Sequence, residues 1–231
     1  MSVEGFVLAG GRSSRMGRDK ALVELDGRPL IAWALDALRQ VNLDALQQTN
    51  PEIPCGAGLP VRIAGARSNL GNFAEMIPDR EEDAGPLAGI CAALTATEAE
   101  LAAFLPVDLP LMPSGLIAYL AWDAAVTGCM VTLASVNGYP QTFPSVVRRS
   151  ALAALENELK NGVTGCFAGF QAAAACAGER VRAIAAESLA QTGHVEHPTG
   201  LPPARWFHNV NSPDELARTG EWLRLHLDTS R

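Results

Sequence analysis

The chain has 231 residues, 48% of them hydrophobic, and a formal net charge of −7. That length and apolar content can bury one sizeable core, so a single domain over residues 1–231 is expected. The acidic balance argues against a general affinity for nucleic acid or anionic membrane, and no apolar run reaches the ~18 residues a membrane span needs.

The opening "MSVEGFVLAGG" places an acidic residue before a short apolar run, which is no secretory signal, and a cytoplasmic protein is expected. "GFVLAG" (5–10) predicts a buried strand feeding a glycine loop. "ALVEL" (21–25) is strand-like and stops at the turn dipeptide Asp26-Gly27. Pro29 suits the first turn of a helix whose Leu30, Ile31, Ala34, Leu35 and Leu38 share one face. "VRIAGA" (61–66) predicts a strand, 85–97 a small-residue helix, and "LAAFLPVDLP" (101–110) an apolar strand ending in an aspartate. A helix from Pro113 to about Ala125 follows, then strands at 129–136 and 141–147, with Pro144 marking an edge or a bulge. Helices are expected at 149–161 and 165–177, strands at 180–186 and "WFHNV" (206–210), and an amphipathic helix at 213–227. The stretch 188–205 reads as a polar, turn-rich loop. Strands alternating with helices predict an α/β fold with a mostly parallel sheet covered on both faces. The cysteines Cys55, Cys91, Cys129, Cys166 and Cys176 are far apart and form no CxxC, so buried reduced thiols are expected.

One stretch stands out against this background. After the first strand, Gly10 and Gly11 open a loop that collects Arg12, Arg15, Arg18 and Lys20. Glycines let a backbone approach a phosphate, and successive N–H groups form an anion nest. The spacing makes neither GxGxxG nor GxxxxGK[ST], so the dinucleotide and P-loop readings fail. Lys20 and Lys160 are the two lysines in the chain. A lysine retained inside this loop suits a compact ammonium touching phosphates. A solvated loop with chance charge is the other reading of the same residues. Asp108 ends an apolar strand, at the edge where open α/β sheets bind ligands, and a carboxylate there suits Mg²⁺. A helix N-cap is the alternative. Asn209 and Asn211 alternate along the expected strand and would share one face, while Asn211 or Ser212 could instead cap the helix that begins at Pro213. The "HVEH" run (194–197) reads as plain surface.

The stretch Leu8-Ala9-Gly10-Gly11-Arg12-Ser13-Ser14-Arg15-Met16-Gly17-Arg18-Asp19-Lys20 resembles the signature LxGGxSxRMGxDK of the nucleotidyltransferases that include molybdenum cofactor guanylyltransferase. "GPLAG" (85–89), "VDLP" (107–110) and "NVNSPDEL" (209–216) resemble further blocks of that family, in order. The resemblance implies a Rossmann-like three-layer α/β/α fold and transfer of GMP from GTP to molybdopterin. It places Arg15 and Lys20 on the phosphates, Leu8, Ala9, Gly10 and Gly11 near the base, and Asp108 on Mg²⁺. It also points to Asn50 for base recognition, to Asp79 with Asp83 as competitor for a nucleotide contact, and to Asn209 and Asn211 beside the acceptor and the metal. Contact with molybdoenzymes or other cofactor-assembly proteins is implied, with a monomer or weak oligomer as the working form. The region 137–178 departs from the family, since Gln141 is followed by Thr142 rather than the usual proline; Gln141 would keep its role at the acceptor. Two other functions share these motifs: a CTP- or sugar-type nucleotidyltransferase with another phosphorylated acceptor, and a nucleotide-binding protein without catalysis.

Overall fold

A computed structural model describes residues 1–10, 19–42, 58–65, 68–78 and 85–228. Its strands are β1 (Val3–Leu8), β2 (Glu24–Leu25), β3 (Arg28–Pro29), β4 (Val61–Ala64), β5 (Met76–Ile77), β6 (Leu101–Pro106), β7 (Val131–Val136), β8 (Tyr139–Arg148) and β9 (Arg182–Ala185). Its α-helices among the described residues are α1 (Leu30–Arg39), α2 (Pro86–Ala96), α3 (Ser114–Thr127), α4 (Leu152–Lys160), α5 (Cys166–Cys176), α6 (Ala186–Gln191), α7 (Pro203–Trp206) and α8 (Pro213–Asp228).

Seven strands form one sheet in the order β5-β4-β1-β6-β8-β7-β9. All run the same way except β8, which is antiparallel to both β6 and β7. Alternation along the central strands feeds two cores. Val3 and Val7 of β1 and Leu101, Ala103 and Leu105 of β6 face one side, with α1, α3, α6, α7 and α8. Phe6, Leu8, Ala102 and Phe104 face the other, with α2, α4 and α5. Strands buried on both faces read as continuous apolar runs, which explains why "GFVL" and "LAAFL" lack alternation. The layers are those of a Rossmann-like α/β fold. In α1, Leu30, Ile31, Ala34, Leu35 and Leu38 are buried, the set expected from helical spacing. The small-residue stretch 161–178 is packing: a Cβ at Gly169 would lie 2.9 Å from Leu87, and Phe170 and Ala173 are buried.

Several expectations need correction. "ALVEL" is not one strand: Lys20–Leu22 forms a turn of 3₁₀ helix, and Glu24–Leu25 then pairs with Arg28–Pro29 across the Asp26-Gly27 turn. Pro144 does not mark an edge, because β8 is interior. It sits instead where the ladders lapse: Leu133 pairs with Ser145 but Ser135 pairs with Pro140, and pairing with β6 ends at Phe104↔Ser145. The missing N–H of the proline is therefore asked for by neither neighbour. "WFHNV" is no strand. Trp206 closes α7, and the residues that follow find no free sheet edge. The expected loop 188–205 contains the end of α6 and most of α7. Of the cysteines, Cys91 and Cys166 are buried and Cys176 is exposed; burial pushes the Cys166 thiol up to about 12, keeping it protonated and unreactive. Cys55 lies outside the described residues.

Candidate active site

The carboxyl ends of β1, β4 and β6 meet at one edge of the sheet. There the chain leaves β1 through Leu8 and Ala9, both buried, to the exposed Gly10. Ala9 N–H donates to Ala64 O at 3.0 Å, which lashes the start of this loop to the end of β4. Beside it Gly65 has φ +106°, and a Cβ there would lie 2.7 Å from the Gly10 backbone nitrogen. Only glycine fits both the dihedral and the contact. The chain returns at Asp19, whose Oδ1 accepts from Ala21 N–H at 3.1 Å and whose Oδ2 accepts from Asn69 Nδ2 at 3.2 Å. The motif aspartate is thus an N-cap for the short helical turn that presents Lys20.

Lys20 Nζ donates to Asp108 Oδ2 at 2.9 Å and to Asn211 Oδ1 at 2.6 Å. Asp108 is held just past β6: Val107 N–H donates to Leu8 O at 3.2 Å, and Asp108 O accepts from Val210 N–H at 2.9 Å. Three residues from distant parts of the chain therefore converge where the sheet topology places a ligand. The helix-cap alternative for Asp108 does not hold, because its carboxylate faces Lys20. At the other block, Ser212 is the cap, accepting from Glu215 N–H at 3.3 Å, which leaves Asn211 for Lys20.

Asn209 and Asn211 do not share a face. Asn209 is exposed, Val210 is buried between them, and Asn211 is half-buried. With no strand here, the expected alternation has no basis. His208 packs edge-on to Trp222 at 4.8 Å, and burial lowers its pKa, with Arg218 and Arg205 adding to the effect against Glu215. The imidazole is thereby favoured in its neutral form behind the Asn211 segment. In "HVEH", His194 is exposed, but His197 is half-buried with Nε2 3.1 Å from Leu111 O, so plain exposure holds for only one histidine. Gly11, Arg15, Asn50, Asp79 and Asp83 lie outside the described residues.

The donor chemistry at this edge fits a hard divalent cation. Asp108 Oδ1 is buried and has no hydrogen-bond partner among the described residues. No group of three or more His, Cys, Asp and Glu side chains that could hold a metal occurs among the described residues. A lone carboxylate oxygen suits Mg²⁺, which completes its shell with water and phosphate oxygens. Sequence reading missed Gly65, Asp19 and Glu215 as builders of this edge. For Asp19 and Glu215 the signals were present, a capping residue before a turn and a Ser-x-x-Glu box at 212–215.

A model of the MobA-like NTP transferase domain matches residues 5–174. The chain belongs to this family. The MobA-like match contains Lys20 and Asp108 and ends before Asn211. Similarity to whole proteins runs further: the molybdenum cofactor guanylyltransferase of Rhodobacter capsulatus is 30% identical over 229 residues, 97% of this chain and 98% of that protein. A probable molybdenum cofactor guanylyltransferase of Haloferax mediterranei is 39% identical over 145 residues, 62% of this chain and 64% of that protein. Among solved structures, molybdopterin-guanine dinucleotide biosynthesis protein A from Archaeoglobus fulgidus superposes with a TM-score of 0.69 at 22% identity, covering 97% of this chain and 100% of that one. That likeness is one of fold, and it agrees with the Rossmann-like layering above. No helix among the described residues is long and apolar enough to cross a membrane.

Proposed function

We propose that this chain transfers GMP from GTP to the terminal phosphate of molybdopterin, with release of pyrophosphate. The observation that carries the reading is the Lys20 ammonium held between Asp108 and Asn211 at the ligand edge. It occurs in a chain similar over almost its whole length to a molybdenum cofactor guanylyltransferase.

The glycine loop after β1 offers close backbone approach to the nucleotide, with Gly10 exposed and braced from behind by Gly65. Lys20 supplies positive charge to the phosphates, and its anchoring on two other segments fixes the ammonium before substrate arrives. An oxygen of the acceptor phosphate forms a bond to the α-phosphorus, and the bond from that phosphorus to the bridging oxygen of pyrophosphate breaks. The attacking oxygen is already ionised at neutral pH, so the chain needs no general base. What remains for the protein is in-line positioning and charge stabilisation. Asp108 would hold Mg²⁺ through its buried Oδ1; when bound, that ion supplies Lewis-acid neutralisation of phosphate charge. Arg15 and the acceptor role of Gln141 belong to the same proposal. Gln141 lies near the start of β8, which the reversed strand direction brings to this edge, and its Nε2 donates to Tyr139 O at 3.0 Å.

Calorimetry with GTP and CTP in the presence of Mg²⁺, followed by a pyrophosphate-release assay with molybdopterin, tests the reading. GTP binding and stoichiometric pyrophosphate are expected. Tighter CTP binding, or no release with GTP and molybdopterin, overturns it.

A further inference from the structure

Residues between α7 and α8 belong to no strand or helix, so no ladder fixes the side chain of Asn211. Two hydrogen bonds hold this segment near the lysine. One is Val210 N–H to Asp108 O. The other comes from Glu215, in the first turn of α8, whose Oε2 accepts from Asn211 N–H at 2.7 Å and from Ser212 Oγ at 3.1 Å. In an ordinary capping box the glutamate reaches back to the backbone of the cap itself. Here it also takes the N–H of the residue before the cap, the residue whose side chain accepts from Lys20 at 2.6 Å.

We propose that Glu215 is a positioning residue: by holding the Asn211 backbone it sets Asn211 Oδ1, and through that oxygen the resting place of the Lys20 ammonium. The two hydrogen bonds between Ser212 and Glu215 serve the helix, and the Asn211 bond serves the site. The two roles can therefore be separated by mutation. The effect on turnover rests on the nucleotidyl-transfer reading above; the effect on Lys20 does not.

The chain carries only Lys20 and Lys160, so carbon-13 labelling of lysine side chains gives two ε-methylene signals, and K160R assigns them. Removing the acceptor with E215A is expected to move the Lys20 signal toward that of a freely solvated lysine. Turnover should fall about tenfold, while KM for GTP stays within about threefold. E215Q keeps an acceptor oxygen and is expected to restore both readouts. S212A removes the cap from Glu215 N–H and is expected to lower the melting temperature, yet leave the Lys20 signal and turnover near wild type. N211A should reproduce the E215A shift of the Lys20 signal. An unchanged Lys20 signal in folded E215A, or the same shift in S212A, overturns the proposal. Should E215A not fold, E215D, one methylene short, takes its place with the same two outcomes. Wild-type protein that transfers no GMP would sink the functional reading, whereas the lysine spectra would still decide the role of Glu215.

Discussion

Glu4 on β1 and Arg62 on β4 form a two-point ion pair at 2.6 and 2.8 Å, whereas Lys20 and Asp108 meet through one contact at 2.9 Å. Burial does not separate them, since the side chains are 12% and 17% exposed in the first pair and 17% and 23% in the second. Saturation does. Glu4 uses both oxygens, taking Thr97 Oγ1 as well, and Arg62 also donates to Ala96 O and lies over the Phe6 ring. Asp108 keeps a buried oxygen with no partner among the described residues. A buried acceptor left unpaired costs about 1–3 kcal/mol. The first pair spends its hydrogen-bonding capacity on holding the sheet. The second carries a cost that becomes useful only when a ligand supplies what is missing.

Substitution at the unsaturated pair should give the largest effect on catalysis. D108N is expected to lower the rate of pyrophosphate release by about 10²–10³-fold or more. Its urea midpoint should stay close to wild type, because a neutral amide leaves no ionised group stranded. Loss of stability with retained turnover would reverse the assignment of roles. The opposite pattern is expected at the saturated pair. R62A leaves Glu4 and Thr97 without their main donor and should cost about 2–4 kcal/mol in denaturant unfolding. Turnover per folded molecule should not change. Gly65 joins the two kinds of effect. G65A forces a side chain to φ +106° and against Gly10, which should cost about 1–3 kcal/mol and weaken nucleotide binding by calorimetry.

The smallest effect concerns acid stability. The Glu215 pKa is lowered from its ordinary 4.5, chiefly by the Asn211 N–H, against burial and with help from the Ser212 hydroxyl. A carboxylate depressed on folding stabilises the native state above its unfolded value. That contribution fades as pH falls through the folded value. The melting temperature of wild type should therefore drop more steeply than that of E215Q below about pH 4.5. Parallel curves would show that the carboxylate charge has no part in holding the segment.

The catalytic pair was legible because its residues sit inside motifs: a glycine loop ending in Asp-Lys, and a carboxylate closing an apolar strand. Glycine, charge and strand termini leave local marks. The builders around them leave fewer, since their work is defined by distant partners. Gly65 matters because Gly10 passes behind it, and Asp19 reaches Asn69 across the sheet edge. The reversal of β8 was legible in principle. Asn137 and Gly138 take φ of 51° and 79° between Val136 and Tyr139, the hairpin turn that an Asn-Gly dipeptide between β-branched runs announces. The alternation of strands and helices elsewhere masked it. The false strand at 206–210 has apolar, β-compatible residues but no neighbouring strand to accept them, and composition alone cannot supply one.

The last strand of the sheet ends at Ala185, and everything after it adds helices and connections. That terminal stretch nevertheless supplies Asn211, 191 residues from the lysine it engages. The architecture and the chemistry therefore reach completion at different points along the chain. A polypeptide stopping after β9 would possess every strand together with both members of the ion pair, but not the amide that shares the ammonium. In this molecule the finishing part of the site is an attachment to the scaffold rather than a product of it, and it can vary in sequence without rebuilding the sheet beneath.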